Sequence, residues 1–436
     1  MLLTHSMHNR TEKLKTEFAI TSKTIQHILA RGNFISPDYQ SHSTLNIPAS
    51  AAYLLNVPGF KHNPVDQVLL DPIRDGVKNI ILVLMDALAF HRLENWLSEE
   101  KDLVWHKLLQ AGFLTPVTAI CPSTTCAAIT SYWTDSSAAE HGIMGYEMWL
   151  KEYGITTNMI THKPINYRKP GGDLTLAGFD PEHFLPVESN SRHFQAHGVD
   201  VHAFQHFAII NSGLSQMFMQ DVNRHAIRTS PDMWISIREL LETDRETKKY
   251  IWAYWDQLDG ISHLFGPDSE RARAEFMDFS RNLETYFLDR LDSDLKKDTM
   301  IMLAADHGQI TTDNTDDQYD LNNHREFTSM LHLMPTGENR LAYLHIKPGK
   351  VEAVKDYIEK TWPDQFSLIN PEEAVTGGLF GGGTPHPEIY NRLGDLIVAA
   401  KGAAYWWWAS KPNPLIGRHG GLSAEEMQVP FLAARL

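Results

Sequence analysis

The sequence predicts an α/β protein: a mostly parallel sheet sandwiched by helices, with a smaller α+β insertion. Three observations carry that reading. Residues 80–85 (Ile-Ile-Leu-Val-Leu-Met) and 299–305 are short apolar runs, right in length for strands buried on both faces and too short to cross a membrane. Stretches of helical periodicity lie between such runs, and strands that alternate with helices build parallel sheets covered on both sides. Beyond Asp306 the pattern changes to strand, helix and strand over 340–346, 350–361 and 393–399, which marks the insertion.

Taken in order, residues 1–58 are an N-terminal extension with a helix over 24–31. The strand at 80–85 is followed by helices over 91–97 and 104–111 and a strand over 112–120. The loop Cys121-Pro122 then turns into a helix for which Ser123 or Thr124 is the cap. Thr125 falls in its first turn, where free backbone N–H groups favour an anion. Glu140-His141-Gly142-Ile143-Met144-Gly145 is a tight glycine-marked loop, and 148–160 a hairpin-like excursion over the site. Further strands are expected at 198–204 and 249–255, with a loop at 211–213 and helices over 231–243 and 271–291. The glycine-rich run 377–383 lacks the lysine and following Ser/Thr of a phosphate-cradling loop and reads as a turn or lid edge. A terminal strand covers 429–433, and no internal repeat is visible. This divides the chain into a catalytic core at 1–324, an inserted α+β cap at 325–409, and a return to the core at 410–436.

Composition narrows the function. The 436 residues are 42% hydrophobic, ordinary for a globular enzyme. Formal charge is 39 − 54 = −15, which argues against a nucleic-acid-binding surface. An anionic substrate then needs local positive charge, and bound metal is the simplest source. The two cysteines, Cys121 and Cys126, do not suggest a disulfide scaffold and read as small buried residues. Residues 1–10 show no basic segment followed by an apolar run, and no window has the length of a membrane span. A cytoplasmic protein without membrane attachment is the expectation.

Asp86, Asp259 and Asp306 all fall just after predicted strands, and ligands in such sheets sit beyond the strands' carboxyl ends. Asp259 and His263 are spaced i, i+4, so on a helical turn they face one metal together. Asp306-His307 cooperate only where the strand gives way to a loop, which Gly308 permits. His419 is bracketed by glycines shortly before the terminal strand. Singly, each pattern is common on protein surfaces. Jointly, Asp86, Thr125, Asp306 and His307 make one ligand set, and Asp259, His263 and His419 a second. These oxygen and nitrogen donors suit two divalent ions, zinc being the natural choice given three imidazoles. Such a pair stabilises the attacking and leaving oxygens of an in-line displacement and lowers the pKa of Thr125, the candidate nucleophile.

These motifs, in this order, resemble the alkaline phosphatase superfamily, and most of all its type I phosphodiesterase/nucleotide pyrophosphatase branch. The resemblance runs from about residue 79 to the C-terminus. It rests on Val83-Leu84-Met85-Asp86, Pro122-Ser123-Thr124-Thr125, His141-Gly142-Ile143, Asp259 to His263 with Gly266-Pro267, Ala305-Asp306-His307-Gly308, and His419-Gly420-Gly421, with 392–398 resembling the strand before the last ligand. It implies an alkaline-phosphatase-like fold, a two-zinc site, a covalent phospho-threonine and water attack in the second step. It further implies that Asp259, His263 and His419 hold one zinc, and Asp86, Asp306 and His307 the other, with Thr125 bridging toward it.

One departure bears on the substrate. Nucleotide pyrophosphatases carry an asparagine shortly after the His-Gly-Ile loop that contacts a phosphoryl oxygen, and Tyr146 stands there in this chain. Tyrosine still donates a hydrogen bond to a developing oxyanion, and Asn158 is a second candidate contact if the 148–160 excursion folds back. The expected substrate is a small phosphate ester, a nucleotide-like diester or pyrophosphate. The alternatives are a phosphonoacetate-like C–P bond or a monoester on the same site, or a metal-binding protein without turnover. Sulfatase and phosphomutase readings lack their motifs. His324, Arg325 and Trp406-Trp407-Trp408 are weighed as substrate contacts, with surface loop and core packing respectively as the favoured readings.

Overall fold

A computed structural model of the chain describes residues 23–165 and 174–436; the expectation for residues 1–10 lies outside them. Its centre is a seven-stranded sheet. In chain order the strands are β1 (Asn79–Met85), β2 (Gly112–Thr118), β6 (Val199–His206), β7 (Asn223–Ile227), β8 (Lys248–Trp255), β9 (Thr299–Ala304) and β16 (Gln428–Arg435). A second seven-stranded sheet holds β3 (Glu147–Leu150), β4 (Ile155–Asn158), β5 (Lys163–Pro164), β11 (Thr336–Glu338), β12 (Leu341–Leu344), β13 (Phe366–Ile369) and β14 (Leu396–Ala400). A two-stranded pairing joins β10 (Ile310–Thr311) to β15 (Gly417–Arg418).

The main sheet runs β2-β16-β9-β1-β8-β6-β7. Its five strands from β9 to β7 are parallel, while β16 runs antiparallel to both β9 and β2. Every residue of β1 and β9 is buried, as a central strand covered by helices on both faces requires. Full burial of a Leu or Ile side chain here stabilises by about 1.5–3 kcal/mol, so the apolar run is what seats β1 at the centre.

The second sheet is antiparallel at every pairing. Its strands alternate in the way a sheet with two different faces must. Leu341 and Tyr343 of β12, with Ile397 and Ala399 of β14, join the main core. Ala342, Leu344, Leu396 and Val398 point the other way into a smaller core with Phe327, Val354, Ile358, Trp362 and Trp406. The 325–409 stretch supplies four of the seven strands, and β3, β4 and β5, which include the expected excursion, supply the other three.

Most expected elements are present within a residue or two, with local differences. The strand expected at 340–346 spans only Leu341–Leu344, because Asn339 and Arg340 form the two-residue turn between β11 and β12. The helix expected at 271–291 is α-helical over Glu270–Leu283 and continues as a π turn over Glu284–Leu288. Residues 377–383 are a turn packed against the 137–140 cap, where a Cβ on Gly381 would lie 2.3 Å from Ser137 Cβ. Among the described residues no helix is long and apolar enough to cross a membrane.

Candidate active site

The carboxyl ends of β1, β8 and β9 lie side by side, so the loops that follow them converge. Asp86 directly follows β1, and Asp306-His307 follow β9. Asp259 and His263 stand on the helix Gln257–Phe265, four residues apart, with Asp259 Oδ1 3.3 Å from His263 Nε2. Thr125 opens the helix Thr125–Thr134. Thr124 occupies the N-cap position with extended backbone but makes no side-chain cap bond, because its hydroxyl donates elsewhere.

His307 is the hub. Its Nε2 lies 3.1 Å from Thr125 Oγ1, 3.4 Å from Asp86 Oδ1 and 3.5 Å from Asp306 Oδ2. Its ring stacks on that of His419 at 3.8 Å between centroids, and His263 lies 5.1 Å from His419 on the other side. His419 Nε2 is 3.9 Å from Asp259 Oδ1. Two groups of donor atoms each lie within 4.8 Å of one another: Asp86, Asp306 and His307, and Asp259, His307 and His419. His307 therefore faces both clusters, and His263 reaches the second through Asp259.

The orientation of the rings fits metal ligation. Nδ1 of His263, His307 and His419 lies 2.8, 3.0 and 3.3 Å from the carbonyls of Gly417, Gly308 and Ser123. A ring that donates Nδ1–H to a carbonyl presents an Nε2 lone pair, and the three Nε2 atoms turn inward. Asp306 Oδ1 accepts from the backbone N–H groups of Ala87 and His307, and Asp86 Oδ2 accepts from the Tyr254 hydroxyl. The second oxygen of each, Asp86 Oδ1 and Asp306 Oδ2, is buried with no hydrogen-bond partner. Orphaned carboxylate oxygens are costly in a protein interior, and a cation between them removes the cost. The donor set therefore fits divalent metal.

Electrostatics say the same. Burial, with Asp306 and Asp259 nearby, raises the Asp86 carboxyl well above its usual range, and burial raises Asp306 as well. Burial, with His307 and His263 adding to it, pushes His419 well below its ordinary value, which keeps the ring neutral and ligand-ready. The glycines are spatial requirements. A Cβ on Gly308 would lie 2.0 Å from Glu425 O, and Gly420, at φ +102°, would place one 2.4 Å from Glu338 Cβ.

Three buried residues of the site carry no local signature in the sequence. Tyr254 of β8 holds Asp86. Gln309 donates to Asp259 Oδ1. Glu338 accepts from Thr124 Oγ1 at 2.6 Å and from Tyr146 N at 2.7 Å, and burial raises its carboxyl to about 8. Through Glu338 one carboxyl spans from the neighbour of Thr125 to Tyr146. Tyr146 is 39% exposed, with the Asn158 side chain beside its hydroxyl, which is pushed up to about 12 chiefly by burial. The excursion folds back as β4 pairs with β3, Asn158 opposite Glu147 and Met159 N donating to Tyr146 O at 2.8 Å, which brings these two candidates together. His324 is drawn away, packing on Trp362 and meeting Tyr357 and the Gln318 carbonyl. Trp406, Trp407 and Trp408 are buried, and Trp406 fills the smaller core. Cys121 and Cys126 are free and buried.

A mostly parallel sheet with acids and imidazoles gathered at its carboxyl edge, facing a helix-start threonine, defines an alkaline-phosphatase-like α/β hydrolase. Within that class the chain belongs to the type I phosphodiesterase/nucleotide pyrophosphatase family, whose profile matches residues 80–422. The family acts on phosphate esters. No curated protein matches the chain in sequence. Among solved structures it is similar to murine ectonucleotide pyrophosphatase/phosphodiesterase 5, at 17% identity and a TM-score of 0.59, covering 81% of this chain and 87% of that one. It is similar also to phosphonoacetate hydrolase from Sinorhizobium meliloti 1021 with phosphonoacetate bound, at 16% identity and a TM-score of 0.59, covering 81% and 89%. At these identities the likeness is one of fold.

Proposed function

We propose that the chain hydrolyses phosphodiester or pyrophosphate bonds of nucleotide-like substrates, with Thr125 as nucleophile and two divalent ions, zinc by preference, as cofactors. The observation that carries this reading is the placement of Thr125 Oγ1 3.1 Å from His307 Nε2, with the partnerless oxygens of Asp86 and Asp306 within 3.5 Å of the same nitrogen. Asp86, Asp306, His307 and Thr125 would hold one ion, and Asp259, His263 and His419 the other. Bound metal supplies the positive charge that stabilises ionised Thr125 and the phosphoryl oxygens in this acidic centre.

Thr125 Oγ1 attacks phosphorus, the bond to the leaving group breaks, and the leaving oxygen departs with the electron pair. Water then forms the new P–O bond as the bond from phosphorus to Thr125 breaks. The helix start aims free N–H groups at the anion. Tyr146, with Asn158 beside it, would donate to a phosphoryl oxygen. The guanidinium groups of Arg340 and Arg418, the latter next to His419 in the chain, are committed elsewhere, Arg340 to Glu426 and Arg418 to Thr312, Asn339 and Asn413. With those two guanidinium groups engaged, the site as formed by the described residues suits a diester monoanion better than a monoester dianion. A second reading, C–P hydrolysis, is favoured by the equal likeness in fold to phosphonoacetate hydrolase. We further infer that 325–409 acts as a cap on a core formed by 1–324 and 410–436.

Wild type and Thr125→Ala, loaded with zinc, are assayed on p-nitrophenyl phosphate, its bis ester, a nucleoside 5′-monophosphate p-nitrophenyl ester and phosphonoacetate, with and without chelator. Chelator-sensitive turnover highest on the nucleotide ester and lost in the variant is expected. Preference for phosphonoacetate moves the chain to the second reading, and preference for the monoester overturns the diesterase reading.

A further inference from the structure

Three consecutive side chains of the second sheet reach into the catalytic loops. Glu338, Asn339 and Arg340 lie where β11 turns into β12, a two-residue hairpin with Glu338 paired to Leu341. Glu338 takes the nucleophile side, accepting from Thr124 Oγ1 and Tyr146 N. Asn339 Oδ1 accepts from Arg418 Nη1 at 2.5 Å, one residue before His419. Arg340 makes a two-pronged ion pair with Glu426, Nε to Oε1 at 2.7 Å and Nη2 to Oε2 at 2.9 Å, with both side chains fully buried.

Glu426 passes that grip to the His419 loop. Its Oε1 accepts from Gly421 N at 2.8 Å and its Oε2 from Ser423 N at 3.2 Å. Its backbone carbonyl accepts from Gly308 N at 2.8 Å, beside His307. Gly421 O in turn accepts from Ser123 Oγ at 2.7 Å, and Ser123 O faces His419 Nδ1. The His419 loop is thus tied to the nucleophile turn on one side and to the hairpin on the other. Burial of a charge pair seldom repays its desolvation, so a fully buried Arg340–Glu426 pair suggests a role in fixing geometry.

We propose that Glu338-Asn339-Arg340 is a positioning clamp, in which one hairpin of the second sheet sets the nucleophile turn and the His419 loop at a fixed spacing. The clamp acts through His419 and therefore rests on its assignment as a metal ligand. Partners that orient a ligand from behind are typically worth about 10–100-fold in metal affinity. Lysine in place of Arg340 keeps the charge and loses the fork.

Metal-free protein is titrated with zinc against a chromophoric chelator, and its thermal unfolding is followed alongside. Wild type is expected to bind two equivalents and His419→Ala to lose one. Arg340→Lys and Asn339→Ala are expected to hold that same equivalent roughly 10–100-fold more weakly and the other unchanged. Asn339→Ala, at a half-buried position, carries the test should Arg340→Lys not fold. Glu338→Ala is expected to keep both equivalents and to lower kcat by up to about 100-fold through a displaced nucleophile turn. Clamp variants that melt lower yet bind both equivalents at wild-type affinity would show a merely structural role and overturn the proposal, as would unchanged kcat in Glu338→Ala. If His419→Ala itself keeps both equivalents, the ligand assignment fails and the clamp with it, a pattern distinct from loss in His419→Ala alone.

Discussion

The two sheets divide the work differently. The main sheet delivers most candidate metal ligands, because the loops leaving β1, β8 and β9 meet at one edge, while His419 follows β15 of the two-stranded pairing. The antiparallel sheet delivers none of them. It contributes Glu338 and Arg340 to the back of the site and carries a second core around Trp362 and Trp406 on its other face. Chemistry and support are thus separable by sheet, and substitutions in the two should fail in different ways.

The largest effect is expected at the edge of the parallel sheet. Thr125→Ala should lower kcat/KM by roughly three orders of magnitude or more with the fold retained and Asp86, Asp306 and His307 left to hold their ion, checked by steady-state kinetics and zinc analysis. Asp86→Asn should likewise abolish zinc-dependent turnover, yet raise the melting temperature of the metal-free protein at neutral pH. Its carboxyl is held well above the usual range by burial and by Asp306 and Asp259, so an uncharged isostere removes a repelled charge. A lower metal-free melting temperature would sink that argument.

Tyr146→Phe removes one hydroxyl donor and should cost roughly 100-fold in kcat on a diester, with Thr125 still phosphorylated when the reaction is trapped. In the smaller core of the antiparallel sheet, away from the Glu338–Arg340 hairpin, the failure should be one of stability. Trp406→Ala opens a hole in the smaller core and should cost about 3–5 kcal/mol in denaturant unfolding, with zinc stoichiometry intact below the transition.

The smallest effect concerns pH. Burial raises the carboxyl of Glu147 on β3, beside Trp408 Nε1, to about 7. A carboxyl raised on folding contributes stability that is complete below its unfolded value near 4.5 and is lost as pH rises through about 7. Wild type should therefore lose a few degrees of melting temperature between those values, and Glu147→Gln should lose less. An equal decline in both would remove Glu147 as its source.

The catalytic edge was legible in the sequence because its rules are local. An apolar run sets a buried strand, an acid after it lands at the carboxyl edge, and i, i+4 spacing puts Asp259 and His263 on one helical face. The packing of Trp406-Trp407-Trp408 was legible too, as large apolar surface seeks burial. Local pattern did not carry direction or distant pairing. The terminal strand Gln428–Arg435 reads like its parallel neighbours yet runs antiparallel to both β9 and β2, since either orientation buries the same side chains. Thr124 has the chemistry of a cap, but its hydroxyl is taken by Glu338, 214 residues away. Arg340 reads as the first residue of a strand and is the turn that grips Glu426. The sequence by itself determined the candidate residues and the strands that bring them together. Only the tertiary structure decided what stands behind them, because a buried charge finds its partner through the closing of the whole chain.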